Sequence, residues 1–306
     1  MTKRFGDLAA LDDVSFEVAP ATVFGVLGPN GAGKTTAIRV LTTLLRPDGG
    51  RASILGHDVV READEVRRLI GLAGQSAAVD INLTGRENLR LIGRLSQMRR
   101  AAFRRRADEL LERFGLADAA TRRVREYSGG MRRRLDVAAA LVASPPVVFL
   151  DEPTTGLDLQ SRNGLWELIR ELVGTGTTVV LTTQYLEEAD RLADRIAIID
   201  QGRLIANDAP AVLKAELGNT VIEIGLVDEP AATKAERLLL DAGKANVERD
   251  GDTLRLVARD GSPVLIDALH CLDDVDIRPT ALQVRQPSLD DAFLQLTGRH
   301  PVERRS

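Results

Sequence analysis

The first two-thirds of the chain predict a mainly parallel α/β sheet with a phosphate-binding loop at one end, on three observations. Gly28-Pro29-Asn30-Gly31-Ala32-Gly33-Lys34-Thr35 follows a short apolar run, Val23–Leu27, and opens a helical pattern. A second apolar run, Val147–Leu150, ends on the acids Asp151-Glu152. Strand-like and helix-like segments alternate along this region, which is the pattern of a parallel sheet covered on both faces.

The elements follow in order. Residues 11–27 read as two strands, the alternating Val14–Val18 and the continuous Val23–Leu27. A helix over 36–45 is stopped by Pro47 and Gly49-Gly50. Residues 64–70 read as helix and 70–74 as strand. Residues 84–143 are mostly helical, with turn signals at Gly115 and Ser128-Gly129-Gly130, and form a helical subdomain over about 76–145 inserted beside the sheet. After the strand ending at Asp151 come helix 159–173, strand 177–182, helix 185–193 and strand 195–200. This first domain is expected over 1–217. A second domain over 218–300 reads strand 221–227, helix 231–242, a hairpin around Asp250-Gly251-Asp252, helix 263–272 and strand 281–285. That β-α-β-β-α-β order predicts a small α+β ferredoxin-like unit. A short helix 289–297 closes it, and 301–306 is a tail.

Composition narrows the function classes. The 306 residues are 44% hydrophobic, enough for one large or two ordinary cores. A net charge of −4 argues against a nucleic-acid binder by bulk charge. Cys271 is the only cysteine, so no intrachain disulfide forms, which fits a reducing compartment. His57, His270 and His300 are too scattered to hold a metal. No run reaches the ~18 apolar residues of a membrane span, and the opening Met-Thr-Lys-Arg-Phe-Gly is not a signal peptide. Any transport function therefore calls for a partner that crosses the membrane. Residues 94–134 hold thirteen arginines against five acids. Two readings fit them: attraction to an anionic membrane surface, or a solvated helical face in a chain with 36 arginines and 5 lysines.

The loop at 28–35 matches G-x-x-x-x-G-K-[ST] between a strand and a helix, the context the motif requires. Its glycines let successive N–H groups turn toward phosphate oxygens, and the helix dipole adds positive potential there. Gly28, Pro29, Asn30, Gly31, Ala32, Gly33, Lys34, Thr35 and Thr36 are the expected nucleotide cradle. Lys34 reaches the β- and γ-phosphates and Thr35 holds Mg²⁺. Asp151 emerges at the strand's C-terminal end, where such sheets bind ligands, and suits the metal. Glu152 is placed to polarise a water aimed at the γ-phosphate. ATP and Mg²⁺ are the expected ligands.

Tyr127-Ser128-Gly129-Gly130-Met131-Arg132-Arg133-Arg134-Leu135, lying before the Asp151 strand, resembles the signature of ABC ATPases. The resemblance implies a P-loop ABC ATPase domain with an inserted helical subdomain. It also implies a second phosphate site made of Ser128, Gly129 and Gly130 at a helix N-terminus. In that family this site closes over the ATP of the opposite subunit, so a homodimer is implied. By the same resemblance Gln75 links Mg²⁺ and water to the helical subdomain, and Asp158 in Gly156-Leu157-Asp158 touches the partner across the dimer. Phe5 lies where the family places an aromatic on adenine; a core residue is the other reading. The family also implies one more strand ahead of Thr2–Phe5.

One position departs from the family's usual pattern. Its histidine after the next strand is here Gln184, which donates a hydrogen bond but carries no charge. Thr182-Thr183-Gln184-Tyr185-Leu186-Glu187-Glu188-Ala189-Asp190, the Tyr127–Asp136 segment and Pro287-Ser288-Leu289-Asp290-Asp291-Ala292-Phe293 are similar to the daunorubicin-resistance type of ABC ATP-binding protein over nearly the whole chain. That type implies ATP hydrolysis by Glu152, Gln184 and Lys34, coupled to export of a hydrophobic drug through a separate permease. It places the chain peripherally on the cytoplasmic side of the cell membrane. Three alternatives stand beside this reading. These are an ATP-binding sensor with little turnover, motivated by Gln184; an exporter of a lipid or polysaccharide; and a soluble ABC protein of ribosomes or DNA. A single phosphate loop and the lack of sustained heptads argue against the last. Asp290-Asp291 reads as a helix cap of the S-x-x-D kind or as metal ligands, and the second domain as a dimer brace or a permease dock.

Overall fold

Every residue of Val23–Leu27, Val147–Asp151 and Thr178–Thr183 is buried, a state strands reach only in the middle of a sheet covered on both faces. The computed structural model describes residues 1–75, 78–217, 220–241, 247–258, 261–275 and 277–297. Its elements are β1 (Lys3–Phe5), β2 (Leu8–Leu11), β3 (Val23–Leu27), α1 (Lys34–Leu41), β4 (Ser53–Ile54), β5 (His57–Asp58), α2 (Ala63–Leu69), β6 (Ile70–Ala73), α3 (Gly85–Leu95), α4 (Arg100–Arg113), α5 (Gly129–Ala140), β7 (Val147–Asp151), α6 (Leu159–Gly174), β8 (Thr178–Thr183), α7 (Leu186–Leu192), β9 (Arg195–Asp200) and β10 (Arg203–Asp208) in a first unit, Met1–Asp208.

The main sheet runs β10-β9-β3-β8-β7-β6. Neighbours from β9 to β6 are parallel, and only the edge strand β10 is antiparallel. The parallel part is what the alternating segments predict, because each parallel neighbour requires a crossover element. Phe24, Val26, Val147, Phe149 and Val180 pack with Ala37, Ile38 and Val40 of α1 on one face, each such residue contributing about 1.5–3 kcal/mol of burial. The C-terminal ends of β3, β7 and β8 thus open onto the phosphate loop, the acids and Gln184. Elements β1-β2 and β4-β5 form two small separate ribbons, and β10 has no counterpart in the sequence reading.

The helical insertion holds α3, α4 and α5. Thr84 caps α3: its hydroxyl accepts from Glu87 N at 3.2 Å, and its own N–H donates to Glu87 Oε2 at 2.8 Å, a reciprocal capping box. Several of the clustered arginines pair locally, Arg105 with Glu109 at 3.3 Å and Arg113 with Glu171 at 3.4 Å. Such exposed pairs are worth about 0–1 kcal/mol each.

Two expectations change. Val14–Val18 alternates as a strand should, yet the segment lies outside any strand. Val14 exchanges backbone bonds with Met1, but among the described residues no strand runs alongside to complete a ladder. The domain boundary falls at 208/209 rather than 217/218. The helix over 210–217 is α8 (Pro210–Leu217), and it packs on the last helix of the second unit, burying Leu213.

The second unit continues with β11 (Thr220–Gly225), α9 (Glu229–Asp241), β12 (Val247–Asp250), β13 (Thr253–Ala258), α10 (Gly261–Asp273), β14 (Ala281–Arg285) and α11 (Leu289–Thr297). Its sheet runs β12-β13-β11-β14 with all neighbours antiparallel, the β-α-β-β-α-β succession read from the sequence. Ile222, Ile224, Leu254 and Leu256 form one core with α9 and α10. The expected start of the helical subdomain at 76, the first domain boundary at 217/218 on its 218 side, the helix end at 242, and the second domain's end and tail over 298–306 lie outside the described residues.

Asp291 holds α11 in this unit. Ser288 Oγ accepts from Asp291 N at 3.3 Å while Asp291 Oδ2 accepts from Ser288 N at 2.6 Å, so the S-x-x-D cap is formed. The same carboxylate takes two bonds from Arg285, at 2.6 and 3.1 Å, and an ion pair with Arg255 at 3.1 Å. Burial alone would raise its pKa, but the bonds from Arg285 and Ser288 hold it below the usual carboxylate range. We expect Asp291→Asn to cost about 2 kcal/mol of the second unit's stability at pH 7, measured by urea unfolding of the intact chain. Because the folded pKa is depressed, this contribution exists above the unfolded value of about 3.9. It disappears as the pH falls through the lower folded value, so the gap between variant and wild type must close on acidification.

Candidate functional site

The site begins with the turn that ends β3. A Cβ on Gly28 would lie 2.1 Å from the carbonyl oxygen of Ile199, so only glycine lets the loop leave the sheet at that point. Gly33, at φ +111°, would strike the Ala10 carbonyl oxygen at 2.3 Å with any side chain. The loop then closes on its own lysine. Lys34 Nζ donates to Gly28 O at 2.7 Å and Pro29 O at 3.0 Å, and lies 3.7 Å from Glu152 Oε1. Burial holds the Lys34 pKa below the ordinary lysine value, opposed by the nearby Glu152 and Asp151 charges. The cradle of Gly28, Pro29, Asn30, Gly31, Ala32, Gly33 and Lys34 is thus continuous with Thr35 and Thr36 in α1.

Thr35, Asp151 and Gln75 converge. Thr35 Oγ1 donates to Asp151 Oδ1 at 3.2 Å, and Gln75 Nε2 donates to Thr35 Oγ1 at 3.2 Å. A hydroxyl, a carboxylate and an amide whose oxygen comes inward on a half-turn of the group make an oxygen donor set. Hard oxygen donors of this number, leaving room for water and phosphate, fit Mg²⁺. Glu152 sits beside them with φ +49°, a left-handed backbone that costs energy in a residue with a side chain. Its N–H donates to Thr182 Oγ1 at 2.9 Å, and Thr155 Oγ1 donates to its Oε2 at 3.3 Å.

Thr182 was missed by the sequence reading. Its hydroxyl donates to Asp151 Oδ1 at 2.5 Å while accepting from Glu152 N, so one side chain on β8 orients Asp151 at the end of β7 and Glu152 just after it. The available signal was a polar residue at the end of an otherwise apolar run, Val179-Val180-Leu181-Thr182. Gln184, two residues on, is half-buried just past β8. The helix after it is anchored from behind, where Trp166 Nε1 donates to buried Glu188 Oε1 at 3.0 Å. Burial pushes that carboxyl up from its ordinary value.

Ser128, Gly129, Gly130 and Asp158 form a second group. Ser128 caps α5, its Oγ accepting from Met131 N at 3.2 Å, and Asp158 caps α6, its Oδ1 accepting from Ser161 N at 2.7 Å. A Cβ on Gly130 would sit 2.7 Å from Ser161 Oγ, so the two helix starts are close neighbours. Among the described residues no hydrogen bond or ion pair joins this group to the phosphate loop. Phe5 is apart from both groups, in β1. Its ring is 50% exposed with Lys3 Nζ 5.6 Å from the centroid, which removes the core reading.

The sequence model of the ABC transporter family matches residues 11–155. The chain is 53% identical over 296 residues to the daunorubicin resistance ATP-binding protein DrrA3 of Streptomyces coeruleorubidus, covering 97% of this chain and 93% of that one. It is 49% identical over 296 residues to the doxorubicin resistance ATP-binding protein DrrA of Mycobacterium tuberculosis, covering 95% and 89%. It is 40% identical over 301 residues to the Nod factor export ATP-binding protein I of Ralstonia nicotianae, covering 98% and 92%. Among solved structures, an ATP-binding subunit of an ABC transporter superposes with a TM-score of 0.64 at 28% identity, over 70% of this chain and 90% of that one. A dimeric ATP-binding cassette in a post-hydrolysis state bound to ADP and Pi superposes with a TM-score of 0.62 at 27% identity, over 68% and 94%. With a glycine loop closed on its lysine, paired acids at the end of a neighbouring interior strand of the same sheet and relatives at half identity over nearly its full length, the chain belongs to the ABC transporter family as an ATP-binding, ATP-hydrolysing member.

Proposed function

We propose that this chain is the motor subunit of an exporter, coupling ATP binding and hydrolysis to the passage of a hydrophobic drug or related amphiphile through a separate membrane-spanning permease. The observation that carries the reading is the meeting of Lys34, Thr35, Gln75, Asp151 and Glu152 at the C-terminal ends of β3 and β7. No helix of the described residues is long and apolar enough to cross a membrane, so the chain would work from the cytoplasmic face, attached through the permease. The choice of cargo is supported by relatives named for daunorubicin and doxorubicin resistance. A relative named for Nod factor export keeps a non-drug amphiphile such as a lipid or polysaccharide as the alternative cargo.

The roles follow from position. The backbone of Gly28–Thr36 cradles the phosphates, and Lys34 leaves its carbonyl partners to meet the β- and γ-phosphate oxygens. Thr35, Asp151 and Gln75 would hold Mg²⁺, which neutralises charge on those oxygens when bound. Glu152 accepts a proton from the attacking water, held in aim by Thr182. Gln184 donates a neutral hydrogen bond toward the γ-phosphate. The exposed ring of Phe5 is available to an adenine. Ser128, Gly129, Gly130 and Asp158 face a second copy of the chain, whose ATP they would close upon. Two nucleotides sandwiched in a homodimer then favour the closed state over the open one, the differential affinity that a ligand-driven stroke requires.

Steady-state ATPase activity with Mg²⁺, alone and with the permease, tests this. Glu152→Gln should lower kcat by about 10²–10⁴-fold, the usual worth of a general base, while ATP-bound dimers accumulate on size exclusion. Turnover unaffected by that substitution would remove Glu152 from its role. Gln184→His should raise kcat by up to about tenfold, equivalent to about 1.4 kcal/mol of added transition-state contact. A second reading, a sensor with little turnover, is favoured by Gln184 alone. It would prevail if wild type bound ATP tightly and never hydrolysed it with the permease present.

A further inference from the structure

Arg133 and Asp136, on the helix that Ser128 begins, have no part in the roles above. Arg133 is nevertheless the most heavily bonded side chain near the site. Its guanidinium donates to Gly74 O at 2.6 Å, Asp151 O at 2.8 Å, Pro153 O at 2.9 Å and Asp136 Oδ2 at 3.2 Å. Asp136 accepts in turn from Ala78 N at 2.8 Å. Asp136 is buried to within 1% of its surface, and the Arg133 side chain keeps only 12% of its own exposed. Gly74 directly precedes Gln75. Asp151 and Pro153 bracket Glu152. One ion pair on α5 therefore grips the backbone on either side of Glu152, which the proposed function aims at the attacking water, and the residue before Gln75, which it assigns to the metal.

A buried ion pair is a poor way merely to fill space, since an apolar pair of similar volume is often as stable or more so. A guanidinium offers five donors in a fixed planar fork, which suits one cation reaching three carbonyls on two separate segments. We propose that Arg133 and Asp136 are positioning residues. They make the Gln75 segment, the Asp151–Pro153 turn and the Ser128 helix one body, so that the state of the γ-phosphate in a chain's own site sets the orientation of the Ser128-Gly129-Gly130 loop it presents to its partner's nucleotide. The coupling is carried by a contiguous bonded network rather than by proximity. It rests on the hydrolytic roles assigned to Gln75 and Glu152 and on the homodimer.

The test uses the full chain with Arg133→Lys, Asp136→Asn and the double substitution. Lysine keeps the charge but cannot span three carbonyls; asparagine keeps an acceptor for Ala78 but loses the ionic partner. Three quantities are measured: the dissociation constant of a fluorescent ATP analogue, kcat and KM with Mg²⁺-ATP, and ATP-driven dimerisation of each variant in a Glu152→Gln background. Arg133→Lys is expected to bind the analogue within about threefold of wild type. It should lose about tenfold or more in kcat at little-changed KM, the pattern of lost positioning, and should fail to dimerise on ATP. The double variant should be no worse than Arg133→Lys, as expected of groups acting as a unit. Folded variants that dimerise and turn over as wild type does would overturn the proposal. So would nucleotide affinity and melting temperature falling together in all three, since that marks a tie that only holds the fold. The dimer readout needs no turnover. A wild type that dimerises on ATP without hydrolysing it would sink the hydrolytic reading, and the coupling would still be judged on the variants' dimers.

Discussion

The carboxylate of Asp151 is the constraint on which the rest of the site depends. One of its oxygens accepts from Thr182 at 2.5 Å and from Thr35 at 3.2 Å, and the residue's own carbonyl accepts from Arg133 at 2.8 Å. Three elements, β8, α1 and α5, thus register against a single residue at the end of β7. The strand itself is fixed by parallel ladders on both sides and by total burial. Movement of any of these elements changes the surroundings of a buried acid, where unpaired charge is costly. The site is therefore referenced to a fully buried strand in the interior of the sheet. Glu152, just past that strand, has φ +49°, a strained setting that the two bonds to Thr182 keep in place.

Much of this arrangement was legible because it is local in sequence. The phosphate loop, the apolar run ending on two acids and the Ser128 helix start each obey a rule confined to about ten residues: glycine where only a bare backbone fits, burial of a whole strand, an oxygen at the N-cap. What stayed hidden depends on pairing between distant segments. Thr182 is 30 residues from Glu152 and Arg133 is 59 from Gly74, and nothing in either neighbourhood signals the other. Val14–Val18 shows the converse failure. Its alternation satisfies the strand rule, but a strand is defined by its neighbour, and alternation says nothing about whether one is there. The boundary near residue 208 was misplaced for the same reason, because α8 belongs with α11, about 80 residues further along the sequence.

In the second unit, electrostatics does the work that burial does around β7. Asp291 answers a helix N-terminus and two arginines at once. The sequence showed the first role and not the second: a cap is a matter of spacing along the chain, whereas Arg255 and Arg285 approach from other strands. The metal-ligand alternative for Asp290-Asp291 loses its appeal on this geometry, since the carboxylate of Asp291 is already committed to cations of the protein's own.

Gln184 bears on how the labour is divided. A histidine at that place could carry charge to the γ-phosphate; glutamine offers one neutral hydrogen bond, about half as strong as its charged counterpart. On the proposed roles, the charge facing the phosphates would then come from Lys34 and from the metal that Thr35 and Asp151 would hold, and aim would come from Glu152. Aim is what the structure supplies in quantity. Glu152 is held through its backbone by Thr182, flanked on both sides by carbonyls bonded to Arg133, and contacted through its side chain by Thr155. A site short of charge at one position and heavily constrained at another depends on preorganisation more than on proton relay. Its rate should accordingly be more sensitive to the bonds that hold Glu152 than to the identity of residue 184.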